Sequence, residues 1–215
     1  MFKVDLHTHS SASPDGGITP DQYQNAIESG VLDAVAITDH NSIDLAVAMQ
    51  KQLGDKIIIG EEIMTTRGEI IGLYLHDRVK PGQSPLDTVR QIKDQNGLVY
   101  IPHPFETIRK GMHEPALEEI ADYIDIVEIC NGRAFAQNHS SKAVVWAKLN
   151  QKDGAASSDA HGIRGIGKTY SGLSEMPTRE NLLSLLDHAV LHTSRPTVRS
   201  LLYPKYHRLR KKIGK

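Results

Sequence analysis

Short apolar runs alternate with amphipathic stretches along almost the whole chain. Residues 2–7 read as a first strand. Thr19-Pro20-Asp21-Gln22 is a helix start, with Thr at the cap, Pro at the first helical position and Gln at the third, as in a capping box. That helix buries Tyr23, Ala26 and Ile27 and stops at Gly30. Residues 34–38 form a short apolar strand, and Asn41 is expected to cap a helix reaching Leu53. Residues 56–63 and 70–75 read as two strands joined by a turn at Arg67-Gly68. Ser84-Pro85-Leu86-Asp87 opens a helix that ends at Gly97. Beyond it the pattern predicts strands over 98–101, 125–130, 154–157 and 189–193, and helices over 114–123, 134–149 and 178–188.

Apolar strands alternating with helices indicate parallel βαβ units. With seven or eight such strands, an α/β barrel is expected rather than an open sheet. No linker, repeat or low-complexity run interrupts the pattern, so one domain is expected over residues 1–200, followed by a separate basic tail over 201–215. A length of 215 residues is enough to bury one substantial core.

Composition narrows the function classes without naming one. The chain is 39% hydrophobic and 24% charged, with a formal charge of −1, so no global field favours nucleic acid or a membrane surface. The one clear asymmetry is the C-terminal Lys205, Arg208, Arg210, Lys211, Lys212 and Lys215. A single cysteine, Cys130, allows no intramolecular disulfide and fits a reducing compartment. The N-terminus enters a strand directly, and no apolar run reaches membrane-spanning length, so a cytoplasmic protein is expected.

The candidate chemistry lies at the strand ends. His7-Thr8-His9, Thr38-Asp39-His40, Pro102-His103-Pro104 and Asp159-Ala160-His161 each close a strand and open into a polar or Gly/Pro-containing loop. His7 and His9, two apart, leave the same face, and so do Asp159 and His161. Asp15 precedes two glycines and is either a turn residue or a carboxylate reaching back over the barrel mouth. Asp39 is placed to orient the neighbouring imidazole, which makes His40 the expected ligand. Glu61-Glu62 interrupts an apolar strand, where a carboxylate is costly to bury unless paired or coordinated. One of the two is expected to face the barrel and the other solvent. Alternation places Ile126, Glu128 and Cys130 on one face, so Glu128 is an acid at a core position. Imidazoles and carboxylates gathered at successive strand ends point to a metal cluster at one mouth of the barrel.

In their order and spacing these four motifs resemble the PHP (polymerase and histidinol phosphatase) family, and the resemblance covers roughly residues 1–195. It implies a distorted (β/α)7 barrel holding two or three divalent ions (Zn, Mn or Fe). Carried over by position, it implies that one ion takes His7, His9 and Asp159, with Glu62 as a bridge. A second would take Glu62, His103 and a sixth-strand residue, where this chain offers Glu128, with Cys130 as the rival. A third would take Asp15, His40 and His161. The choice of Glu62 over Glu61 rests on the family's Gly-x-Glu pattern, matched by Gly60-Glu61-Glu62. Glu69 lies where some relatives place a His.

Such a centre implies metal-dependent hydrolysis of a phosphate ester on a phosphorylated small molecule or nucleotide. A hydroxide bridging two ions about 3.5–4 Å apart would be the nucleophile. Asp39 or His40 would supply a proton. Arg133, just past the sixth strand, is expected to reach the substrate phosphate, with Arg164 and Lys168 as further candidates. Three other classes compete: an exonuclease-type phosphodiesterase on short oligonucleotides, a metal-stabilised module acting through a partner, and an amide or ester hydrolase. Residues 162–169 match the P-loop pattern, but Gly172 and Pro177 deny them the helix a P-loop must open. His76, His113, His139, His188, His192 and His207 are expected away from the ligands, with His113 and His139 nearest the rim. Trp146 reads as helix packing. The tail reads as a solvated terminus, and its interleaved Tyr203, Tyr206 and His207 offer a weak contact to single-stranded nucleic acid as the other reading.

Overall fold

A computed structural model gives the fold, and residues 1–134, 140–194 and 197–213 are described. The chain runs β1 (Phe2–Asp5), α1 (Pro20–Glu28), β2 (Ala34–Ile37), α2 (Asp44–Leu53), β3 (Ile57–Thr65), β4 (Gly68–Leu73), α3 (Pro85–Asp94), β5 (Leu98–Ile101), α4 (Glu114–Glu119), β6 (Ile126–Asn131), α5 (Ser140–Leu149), β7 (Asp153–Ser157), β8 (Tyr170–Leu173), α6 (Leu182–Leu186), β9 (Val190–His192) and α7 (Val198–Ile213). Among the described residues the strands form one sheet, ordered β7-β6-β5-β4-β3-β2-β1-β8-β9. β1, β2 and β3 pair in parallel, as do β5, β6 and β7, while β4 runs antiparallel to both β3 and β5. The hairpin between β3 and β4 takes the place of one crossover helix, and that is the distortion of the barrel.

The barrel closes at the mouth between the segments that follow β1 and β7. Beyond β1 and β7 the chain continues so that Asp159 N donates to His7 O (2.9 Å) and His9 N donates to Ala160 O (2.8 Å). Barrel closure and two of the histidine motifs therefore coincide. Strand alternation divides the core into two parts. Ala34, Ala36, Ile58, Ile71 and Tyr100 fill the barrel interior, which Leu182 and Leu186 of α6 plug. Val35, Ile37, Ile57 and Ile59 face the helices outside, against Tyr23, Met49, Ile92 and Trp146.

Several expectations are corrected. β8, which pairs antiparallel with β1, is a strand the pattern did not predict, and β9, the last strand expected, pairs antiparallel with β8, so that both lie beyond the seven of a (β/α)7 barrel. Gly172, expected only to deny a P-loop its helix, lies within β8. That glycine admits the Met1 side chain, whose sulfur would lie 2.5 Å from a Cβ there. Asn41 does not cap α2: its backbone is left-handed (φ 54°), and its Oδ1 accepts from Met64 N. The boundary expected near residue 200 falls inside α7, which carries Pro204 within it. Of the helix expected over 134–149, residues 135–139 (including His139) lie outside the described residues, as does Lys215. Residues 163–165 are a single 3-10 turn followed directly by a loop into β8, so no P-loop helix forms. Trp146 donates to Glu118 (2.7 Å) and is packing between helices. No helix among the described residues is long and apolar enough to cross a membrane.

Candidate metal centre

The motif residues converge as strand geometry requires. His7 and His9 both point into the mouth, with their Nε2 atoms 3.0 Å apart. Thr8 points the other way, donating to Ala36 O (2.6 Å) and accepting from Tyr23 OH (2.9 Å). Glu62 reaches the same spot from β3. It lies 3.2 Å from His9 Nε2, 3.1 Å from His40 Nδ1, 3.3 Å from His103 Nε2 and 3.6 Å from His7 Nε2. Glu61 is also buried rather than solvent-facing, but on the opposite side, where it accepts from Val79 N (2.8 Å). Asp159 Oδ1 lies 3.7 Å from His7, 3.6 Å from His9 and 3.3 Å from His161. Asp15 bends back over the mouth to within 3.5 Å of both His40 and His161.

Four groups of ligand atoms, each within 4.8 Å of one another, result among the described residues: His9/Asp15/His40/His161, His7/Glu62/His103, His7/His9/Asp159 and His40/Glu62/Glu69. Glu69 comes into the centre from β4, directly across the hairpin turn from Met64. His103 (φ 30°) and Asp159 (φ 50°) adopt left-handed backbone, which costs about 1–3 kcal/mol apiece and is held by the surrounding structure.

Glu128 stands outside all four groups. Its Oε1 accepts from Tyr100 OH (3.0 Å) and lies 3.1 Å from His7 Nδ1, while its Oε2 accepts from His103 N (2.6 Å) and Asn131 Nδ2 (2.8 Å). With both oxygens engaged, it orients His7 and the His103 backbone from behind. Its rival Cys130 fails for a different reason. The β6–β7 register shifts between Glu128, opposite Ala155, and Cys130, opposite Ala156. That extra residue turns Cys130 to the other face. Asp39 accepts from Ser10 N and Ser10 Oγ, so both its oxygens brace the loop that leads to Asp15.

The electrostatics suit cations. Burial opposes charge on Glu62, but the neighbouring His40 and His7 outweigh it and hold the carboxyl well below its usual range. Burial and the Glu62 charge push Glu69 up to about 9. Burial, with His9 and Arg133 nearby, takes His161 down to about 3, leaving a neutral imidazole with a free lone pair. For His40 the carboxylates Glu62 and Asp15 overcome burial and raise the ring to about 9. Two imidazole nitrogens 3.0 Å apart compete for one proton, and Glu62 Oε1, His9 Nδ1 and His103 Nδ1 are buried without a hydrogen-bond partner. Divalent ions would relieve the first and give Glu62 Oε1 a partner, and a mixed His/carboxylate set fits zinc, manganese or iron.

Guanidinium groups crowd the same carboxylate. Arg133 lies 3.3 Å from Asp159 Oδ2. Arg109, which the sequence reading missed, donates to Asp159 Oδ2 (2.7 Å) and to Asn131 Oδ1 (2.6 Å), and pairs with Glu106 through both faces of its fork. It sits in an irregular loop after β5, where no periodicity marks it. Arg164 and Lys168 are exposed and line a pocket beside His161 and Arg133. His76, His113, His188 and His192 are exposed and join none of the groups. The tail is not wholly a solvated terminus: Arg208, itself largely exposed, and Lys211 of α7 reach onto the loop carrying Asp15.

Comparison with known proteins agrees with this architecture. The family model described as PHP domain matches residues 5–151. An uncharacterized protein of Methanocaldococcus jannaschii, MJ1587, is 33% identical over 164 residues, covering 70% of this chain and 95% of that one. A second from the same organism, MJ0417, is 31% identical over 184 residues, covering 81% and 72%. Among solved structures, a two-domain protein of Bacteroides vulgatus named as containing a predicted PHP-like metal-dependent phosphoesterase superposes with a TM-score of 0.71 at 20% identity, over 96% of this chain and 69% of that one. An amidohydrolase of Chromobacterium violaceum with bound sulfate gives a TM-score of 0.60 at 16% identity, over 91% and 99%. With the family model spanning residues 5–151 and a third of positions shared with a near full-length relative, this chain belongs to the PHP domain family.

Proposed function

We propose that the protein is a metal-dependent phosphoesterase acting on phosphate monoesters of small molecules or nucleotides. The observation that carries this is the meeting of Arg109 and Arg133 on Asp159, at the edge of the clustered imidazoles and carboxylates. A guanidinium fork suits a phosphoryl group as well as a carboxylate. Divalent ions held by His7, His9, Asp15, His40, Glu62, Glu69, His103, Asp159 and His161 would lower the pKa of a water and polarise the phosphoryl oxygen. Arg109 and Arg133 would orient the phosphate as they now engage Asp159, and Arg133 Nε, buried without a partner, has a donor to offer. Beyond Arg133 the pocket lined by Arg164, Lys168, Thr169 and Ser200 would take the more remote part of the substrate, and Thr169 Oγ1 lies buried there without a hydrogen bond. Asp39 is engaged by Ser10, so His40 would be the group free to protonate the leaving oxygen only where no ion occupies the His9/Asp15/His40/His161 group.

The test is release of inorganic phosphate by manganese-reconstituted protein from mononucleotides, sugar phosphates and short oligonucleotides, with Asp159→Asn as the control. Phosphate release that the variant loses while staying folded is the expected result. Release of mononucleotides from oligonucleotides alone would make it a phosphodiesterase. The structural neighbour named an amidohydrolase makes amide hydrolysis the second reading. Amine release with no phosphate release from the metal-loaded protein would favour it and overturn the first.

A further inference from the structure

The C-terminal helix reaches the two loops that supply the outermost group of ligand atoms. On α7, Tyr203, His207 and Lys211 recur every fourth residue and so lie along one face. The Tyr203 ring covers Gly162, where a Cβ would come within 2.6 Å of it, right beside His161. The His207 ring covers Gly17 in the same way, at 2.2 Å, two residues from Asp15. Lys211 Nζ donates to Ser11 O (2.8 Å), Gly16 O (3.0 Å) and Ser13 O, three carbonyls of the loop that carries Asp15. Arg208 Nη2 donates to Asp15 Oδ2 (2.6 Å), which leaves Oδ1 facing His40 and His161. Oδ2 is thus held by the helix, while Oδ1 accepts from Ser13 Oγ (3.1 Å) and faces the mouth.

We propose that Arg208 and Lys211 are positioning residues for the metal centre: they lock the Asp15 loop so that the His9/Asp15/His40/His161 group closes on its ion. The inference rests on the reading of those four residues as ligands. A carboxylate on a loop of short polar residues and glycines binds an ion only after that loop is ordered, and the ordering entropy weakens binding unless the fold has already met it. α7 meets it in advance, with a charge-assisted hydrogen bond and three bonds from one ammonium. The basic residues facing solvent, Lys205 and Lys212, make no such contact and carry no such role.

The experiment is a titration of full-length, metal-stripped protein with Mn or Zn, read by calorimetry and by ion content after dialysis. Asp15→Asn, Arg208→Ala/Lys211→Ala and Lys205→Ala/Lys212→Ala are compared with the unaltered chain. The expected result is three ions for the unaltered chain, with affinity for one of them weakened roughly 10–100-fold in both Asp15→Asn and Arg208→Ala/Lys211→Ala. The other two ions stay bound, Lys205→Ala/Lys212→Ala behaves as the unaltered chain despite equal loss of charge, and Arg208→Lys recovers part of the affinity. Unchanged or tighter binding in Arg208→Ala/Lys211→Ala overturns the inference, as does equal loss of all three ions. If Asp15→Asn also binds normally, the assignment of Asp15 as a ligand fails, and the inference with it.

Discussion

Glu128, expected as a ligand, lies outside the four groups of ligand atoms and is engaged by hydrogen bonds at both oxygens. Its position on β6 and its burial were legible from alternation; its partners were not, because they come from the segment after β1, from β5 and from the loop after β5. Glu128→Gln replaces an acceptor-only group with an amide that must also find partners for two donors. Metal affinity is expected to fall roughly 10–100-fold with the fold retained. Calorimetric titration together with a circular dichroism spectrum checks this, and unaltered affinity would show that His7 needs no such support. Arg109 was missed, and Glu69 was noted only through the family resemblance, for the opposite reason. Each is an ordinary charged residue in a loop or hairpin, and only the fold brings it to Asp159 or to His40 and Glu62.

Elements whose termini carry local signals were read almost to the residue. Thr19 accepts from Gln22 N while Gln22 Oε1 accepts from Thr19 N, and α1 begins at Pro20 as its capping box requires. Thr19→Ala is expected to cost about 1 kcal/mol, seen as a lower denaturant midpoint at unchanged slope, with ion binding untouched. A variant that lost ions as well would mean that α1 is coupled to the Asp15 loop just before it. β5 was likewise read without error, since four apolar residues lie between Gly97 and Pro102. β8 and α7 were not seen. The first contains Gly172 and is short, and the second carries Pro204 and a dense basic run, so both take their structure from what they pack against.

For the molecule as a whole, the metal centre and barrel closure occupy the same residues. His7 and His9 hydrogen-bond through their backbones to Asp159 and Ala160, and the side chains of three of these four are candidate ligands. Ions there would tie β1 to β7 across the seam. An ion at a hundred times its dissociation constant stabilises the folded state by about 2.7 kcal/mol. At ~2–4 °C per kcal/mol for a chain of this size, chelation is expected to lower the melting temperature by roughly 5–10 °C per tightly held ion. Differential scanning calorimetry with and without chelator checks this. An unchanged melting temperature would mean that the ions do not hold the seam.

The sequence by itself determined the barrel class, the strand ends and the imidazole side chains gathered there. Those follow from the period-two and helical patterns and from motif spacing, which are local and survive without knowledge of packing. Only the tertiary structure decided which carboxylates face the centre. Glu69 enters because the hairpin pairs it with Met64, the β6 bulge turns Cys130 away, and Glu128 is engaged by Tyr100, His103 N and Asn131. The same holds for α7, whose basic residues read as a free tail until Arg208 met Asp15 at 2.6 Å, 193 positions away in the chain.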